Sequence, residues 1–202
     1  MDDDWGHSMT EAFEISGVPS EGGVLIVVDH ASSHVPDDIN LGISPQYQQD
    51  HIAFDPGIAP IARLMTEHGG YLAILSTASR LIVDLNRYPD EAAVIVERSD
   101  GVEIPGNHLS AEERQARLDR FFTPYHDRVA ALIADLKPAL VASLHSFSPT
   151  LRTNPQLKRP WDMGIMYNEH QTAPRLALQY LGEEEGLIVG DQMPYSGKDL
   201  NA

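Results

Sequence analysis

The segment Val24-Leu25-Ile26-Val27-Val28-Asp29 constrains the fold more than any other. It is apolar, rich in β-branched residues, and bounded by Gly22-Gly23 and a polar stretch. A strand with one wet face alternates apolar and polar residues. This one does not alternate, so it reads as a strand covered on both faces, as in a parallel sheet flanked by helices. Further strands are expected at Tyr71–Leu75, Leu81–Leu85, Ala139–Leu144, Met163–Tyr167 and Leu187–Val189. Between them lie helical patterns. Residues 55–68 carry apolar positions at Ile58, Ile61, Ala62 and Met65, with Asp55 as the expected N-cap, Pro56 at the first helical position and Gly69-Gly70 as the stop. Residues 110–137 open on Ser110-Ala111-Glu112-Glu113, a capping box, and Pro124 predicts a kink or a division into two helices. Residues 171–181 are a further helix. Strands alternating with helices predict an α/β three-layer sandwich around a mainly parallel, mixed sheet. Residues 1–202 are expected to form one domain, with 1–10 as a flexible tail.

Composition removes several function classes. The 202 residues contain no cysteine, which excludes disulfides, thiol catalysis and Cys-ligated zinc. Thirty acids against fourteen bases give a formal net charge of −16 at pH 7. That field repels phosphate, so neither nucleic acid nor an anionic membrane is an expected partner. No apolar run approaches the ~20 residues of a membrane span. The acidic start Met1-Asp2-Asp3-Asp4-Trp5 has no apolar signal region, which makes the cytoplasm the expected location. The composition says nothing of oligomeric state.

In open α/β sheets, ligands lie off the carboxyl ends of the strands. There the sequence places His30 and His34 after the first strand, Asn86-Arg87 after the third and His145 after the fourth. A catalytic zinc site without cysteine uses two or three His, often with one carboxylate, and leaves a position open. His30 and His145 fit as two ligands. Asp55 and His34 are the alternatives for the third. A lone Asp before a helix is commonly just its cap. His34 stands four residues after His30, a spacing that aligns two ligands only on a helix; Val35-Pro36 argues against one. Arg80, Asp84 and Arg87 form a second cluster. It reads either as a structural ion pair or as a fork for a substrate carboxylate, with the second Arg polarising a carbonyl. No Gly-x-Ser-x-Gly occurs, which leaves a serine hydrolase little support.

Five segments in order carry a family resemblance: Asp29-His30-Ala31-Ser32-Ser33-His34-Val35-Pro36; His51-Ile52-Ala53-Phe54-Asp55-Pro56-Gly57; Ser79-Arg80-Leu81-Ile82-Val83-Asp84-Leu85-Asn86-Arg87; Leu144-His145-Ser146-Phe147-Ser148-Pro149; and Gly190-Asp191-Gln192-Met193-Pro194-Tyr195-Ser196-Gly197. From about residue 22 onward the chain resembles the N-formylglutamate amidohydrolase family. That resemblance implies a fold like that of the zinc carboxypeptidases and a chemistry like that of the aspartoacylase and succinylglutamate desuccinylase group. It implies one zinc per chain held by His30, Asp55 and His145, with Ser33 standing where those relatives carry a Glu ligand and His34 as the fallback. It implies Asn86 and Arg87 on the substrate carboxylate and Arg80 on the polarised carbonyl. The implied partner is a small anionic N-acyl amino acid, N-formyl-L-glutamate first, cleaved to formate and L-glutamate.

One part of the pattern is missing. The relatives use a Glu as general base on a late strand. The chain reaches Ala202 without one, and Met193 stands where the family often shows Glu. Either the sequence stops short of that segment or the protein lacks the base; Glu169 and Asp191 are the candidate substitutes. Two other readings follow, a non-catalytic acyl-amino-acid-binding protein and an amidohydrolase for a different N-acyl or formamide substrate.

Overall fold

The computed structural model describes residues 7–197, which fall into two compact units, Met1–Phe147 and Ser148–Ala202. Of the tail expected at 1–10, residues 1–6 lie outside the described residues, whereas His7–Met9 form a strand.

In the first unit, chain order runs β1 (His7–Met9), β2 (Phe13–Gly17), β3 (Val24–Val28), α1 (Pro45–Gln48), α2 (Ile58–Gly69), β4 (Leu72–Ser76), β5 (Arg98–Ser99), β6 (Val102–Glu103), α3 (Ala111–Arg117), α4 (Thr123–Leu136) and β7 (Leu140–Ser143). Five strands form one mixed sheet in the order β1-β2-β4-β3-β7. β3 lies parallel to both β4 and β7, while β1 and β2 add an antiparallel flank. β5 and β6 make a separate two-stranded hairpin.

The unbroken apolar run of β3 is explained by what covers it. On one face Leu25 and Val27 pack with Leu118, Phe121, Tyr125 and Leu132 from the α3–α4 stretch. On the other, Ile26 and Val28 pack with Ile58, Ala59 and Ala62 of α2. Helices on both faces of the sheet make the expected three layers. Each such large aliphatic, fully buried, contributes roughly 1.5–3 kcal/mol.

The long helical stretch divides at Pro124. α3 keeps the capping box, with the Ser110 hydroxyl accepting from Glu113 N–H and the Glu113 carboxylate from Ser110 N–H. Leu118–Phe122 then widen into a π-turn, in which Thr123 N–H donates to the Leu118 carbonyl. Proline has no N–H to offer the preceding turn and its ring crowds the carbonyl four residues back, so the helix opens one residue early.

Two expectations are corrected. Leu81–Leu85 is not a strand; the segment runs through turns. Its residues are apolar because they are buried, with Leu81 and Ile82 fully enclosed. Their backbone bonds are made locally: Ile82 N–H to Ser79 O, Leu81 N–H to Ser79 Oγ and Asp84 N–H to Val94 O. Nor does Asp55 cap α2. Gly57 takes that position at φ +85°, a left-handed conformation that glycine adopts without penalty. The Asp55 carboxylate is thereby left free to point elsewhere.

In the second unit, β8 (Met163–Ile165), α5 (Thr172–Gly182) and β9 (Val189–Asp191) form a strand–helix–strand unit with β8 and β9 parallel. β9 begins two residues later than expected because Gly186, at φ +84°, and the Leu187 N–H to Glu184 O bond extend the turn after α5. Among the described residues, no helix is long and apolar enough to cross a membrane.

Candidate functional site

The parallel strands β3 and β7 are neighbours, so His30 and His145, just past their carboxyl ends, are brought together. Their rings lie 4.9 Å apart, tilted by 57°. Asp55 joins them from the loop before α2, where its N–H donates to the His30 carbonyl at 2.9 Å. Its Oδ2 accepts from His145 Nδ1 at 3.1 Å and from Ser146 N–H at 3.0 Å. One ligand atom from each of His30, Asp55 and His145 falls within 4.8 Å of the others. His34 is absent from this group: residues 31–36 have no helical turn, and its side chain is exposed.

The donor set fits a divalent metal. His30 is 1% exposed, and its Nε2 donates to Asp84 Oδ1 at 2.7 Å. Its Nδ1 is buried without a hydrogen-bond partner, 3.6 Å from Asp55 Oδ2. A buried ring nitrogen seldom goes unused. With Nε2 committed to a carboxylate, Nδ1 is the atom oriented for a metal. Two imidazole nitrogens and one carboxylate oxygen suit zinc.

Asp84 organises the neighbouring charges. Its Oδ2 accepts from Arg80 Nη2 at 2.6 Å, and its Oδ1 accepts from Asn86 N–H at 3.0 Å. Arg87 Nε lies 4.0 Å from Oδ2. Arg80 also reaches Asp55, with Nη1 3.6 Å from Oδ1. The ion-pair reading of this cluster therefore holds as geometry. It does not displace the fork reading, since Arg80 and Arg87 both remain partly exposed.

Electrostatics follow from these contacts. Burial alone would raise Asp55, but His145 and His30 outweigh it and hold the carboxyl well below the usual range. Asp84 is lowered in the same way against burial, by His30 and Arg80. Burial and Arg80 push His30 down; Asp84 and Asp55 prevail, and its pKa is raised. Asp55 and Asp84 thus alternate with His145, His30 and Arg80 in one connected group.

Three contributors escaped the sequence reading, or were read only in part. Asp84 was visible as a partner for Arg, not as the support of His30. Asp29 lies with Oδ2 3.6 Å from His145 Nε2. His126 Nε2–H donates to the Leu85 carbonyl at 3.0 Å, just before Asn86 and Arg87. Of the candidate bases, Glu169 is exposed in the second unit, and Asp191 ends β9 there, accepting from the Tyr167 hydroxyl at 2.9 Å.

A mixed α/β sheet with a His–Asp–His group at its strand ends defines an α/β protein with a metal-competent centre. A family model described as N-formylglutamate amidohydrolase matches residues 22–202. The chain belongs to the N-formylglutamate amidohydrolase family, a family of hydrolases. Among solved structures, a gene product of Agrobacterium tumefaciens is similar at 31% identity and a TM-score of 0.85, over 94% of this chain and 76% of that one. The N-formylglutamate amidohydrolase of Ralstonia eutropha shares the fold at 16% identity and a TM-score of 0.73, over 92% of this chain and 78% of that one. A search of curated proteins finds no match.

Proposed function

We propose that this chain is a zinc-dependent amidohydrolase that takes N-formyl-L-glutamate and water to formate and L-glutamate. The observation that carries the reading is the convergence of His30 Nδ1, Asp55 and His145 Nδ1 beside Arg80. His30, Asp55 and His145 would hold one metal ion per chain. A metal ion in such a site supplies Lewis acidity and lowers the pKa of water toward ~7.

The chain's own residues supply the rest. Arg80 is held at the edge of the group by Asp84 and Asp55, with an exposed fraction left to face a ligand. It would donate to the formyl oxygen as charge builds on it, the role of a fixed oxyanion donor. Arg87 and Asn86 would take the substrate carboxylate, and so orient the amide. Their backbone is fixed by Asp84, through Asn86 N–H and the Arg87 N–H to Asp84 O bond. Water oxygen adds to the formyl carbon, the C–N bond breaks, and both protons of that water pass to the leaving nitrogen, giving formate and the ammonium form of L-glutamate.

The test is zinc per chain and formate released from N-formylglutamate, for the wild type and for His30→Ala and His145→Ala. One zinc and steady formate release, both lost in the variants, are expected. A wild type that binds no zinc overturns the reading. Zinc and substrate binding without turnover would favour the acyl-amino-acid-binding reading, for which the apolar Met193 in place of a Glu speaks. A substrate panel separates other N-acyl amino acids.

A further inference from the structure

We propose that Tyr125 is a positioning residue for this centre, acting through Asp29 on the imidazole of His145. The inference rests on the reading of His145 as a metal ligand. Tyr125 is fully buried on α4, and its hydroxyl donates to Asp29 Oδ1 at 2.8 Å. Asp29 is 7% exposed and directly follows β3, one residue before His30. Its other oxygen, Oδ2, faces His145 Nε2 at 3.6 Å. The three groups form a line from the helix layer to the strand-end site.

Filling the core does not require the hydroxyl; a Phe ring packs the same space. A buried phenol needs a partner, and the partner here is a carboxylate whose second oxygen faces a candidate ligand. Burial first, and then the Asp29 charge, hold the phenol well above its ordinary pKa, so it stays a donor. The bond to Oδ1 restrains rotation of the carboxylate and keeps Oδ2 on the His145 side. A carboxylate behind a ligating imidazole fixes its orientation and raises its basicity. Leu118 and Phe121 of the π-turn and Tyr125 of α4 are all buried.

Ser143 is the competitor, because its Oγ lies 3.1 Å from the same His145 nitrogen. Nε2 carries at most one proton. In the structure the hydroxyl is the hydrogen-bonded partner and Asp29 Oδ2 stands at ion-pair distance; a carboxylate is the stronger acceptor, so Asp29 is assigned as the holder of the Nε2 proton once Nδ1 is given to the metal.

The experiment measures zinc affinity by competition with a chromophoric chelator, on full-length wild type and on Tyr125→Phe, Asp29→Asn, Ser143→Ala and the Tyr125→Phe/Asp29→Asn double variant. Unfolding of each metal-free protein is measured alongside. Loss of a carboxylate behind a ligand typically weakens metal binding by 10–100-fold. Asp29→Asn is expected to weaken zinc about tenfold and Tyr125→Phe about three- to tenfold. The double variant should be no weaker than Asp29→Asn, and Ser143→Ala should bind like the wild type. Tyr125→Phe binding zinc as tightly as wild type overturns the proposal, however much stability it loses, because a purely structural hydroxyl would do that. Ser143→Ala as weak as Asp29→Asn overturns it too. If Tyr125→Phe does not fold, the zinc-loaded wild type decides by NMR: a slowly exchanging, downfield His145 Nε2–H supports the proposal, and its absence overturns it. A wild type without zinc affinity removes the parent reading, and this one falls with it.

Discussion

β3 and β7 lie side by side in register, Leu25 against Val141 and Ile26 against Ala142, and each leads into one of the two histidines. Their surroundings differ sharply. Leu25 is 1% exposed, whereas Val141 is 42% exposed. His30 leaves a strand sealed on both faces, and Asp84 clamps it at 2.7 Å. His145 leaves a strand with open residues, and its outer nitrogen has a hydroxyl at 3.1 Å and a carboxylate at 3.6 Å. One half of the centre is fixed by burial and charge. The other is held by a longer chain of contacts running back to the helix layer. Rigidity in such a site is set histidine by histidine.

The largest test of this difference is Asp84→Ala. The substitution leaves His30 Nε2 without its acceptor and Arg80 without its closest anion, both beside a buried site. Removing one partner of a buried ion pair costs about 3–5 kcal/mol. A urea titration of metal-free protein should show a loss of that size, and a loss below about 1 kcal/mol would mean that the β3 side is no more rigid than the β7 side.

Acid should act on the same network. Asp55 and Asp84 are lowered in the folded state, so their stabilising contribution is complete above the unfolded carboxylate value of about 4 and disappears as pH falls below it. His30 is raised, so its contribution is complete below about pH 6.5 and declines as pH rises through the folded value. Metal-free protein should therefore be most stable between about pH 4 and 6.5. A midpoint of unfolding that is flat across pH 3–8 would refute the network as a source of stability.

A pair of truncations sharpens the contrast within the strands. Leu25→Ala empties a site packed on all sides and should cost about 2–5 kcal/mol. Val141→Ala, at the same register on β7, removes a side chain that already touches water and should cost under about 1 kcal/mol. Equal losses would show that β7 is buried in solution.

The contrast also explains what was legible in the sequence. β3 announced itself because burial on two faces removes polar residues from a short run. The same logic misled at Leu81–Leu85, which is equally apolar but makes its backbone bonds through turns and the Ser79 hydroxyl. Asp55 before Pro56 looked like a helix cap, and Gly57 had taken that role. His30, Asp55 and His145 were legible as ligand types at strand and helix ends. Their supports were not. Asp84 meets His30 across 54 residues of chain and Tyr125 meets Asp29 across 96, separations at which no local spacing speaks. Arg80 and Asp84, four residues apart, were readable as a pair for the opposite reason.

The smallest effect belongs to Ser143→Ala. Ser143 is exposed at the end of β7, and its hydroxyl reaches His145 within the same strand end. An exposed hydroxyl exchanges one partner for water at little cost, so folding stability should move by less than about 0.5 kcal/mol. The value of the measurement lies in its null result. If the β7 side is governed by Asp29 and Tyr125, removing the nearer group changes nothing while removing the farther ones weakens the site. A loss above about 1 kcal/mol would make Ser143 the true clamp, and the two histidines would then be held alike, each by one close partner on its Nε2.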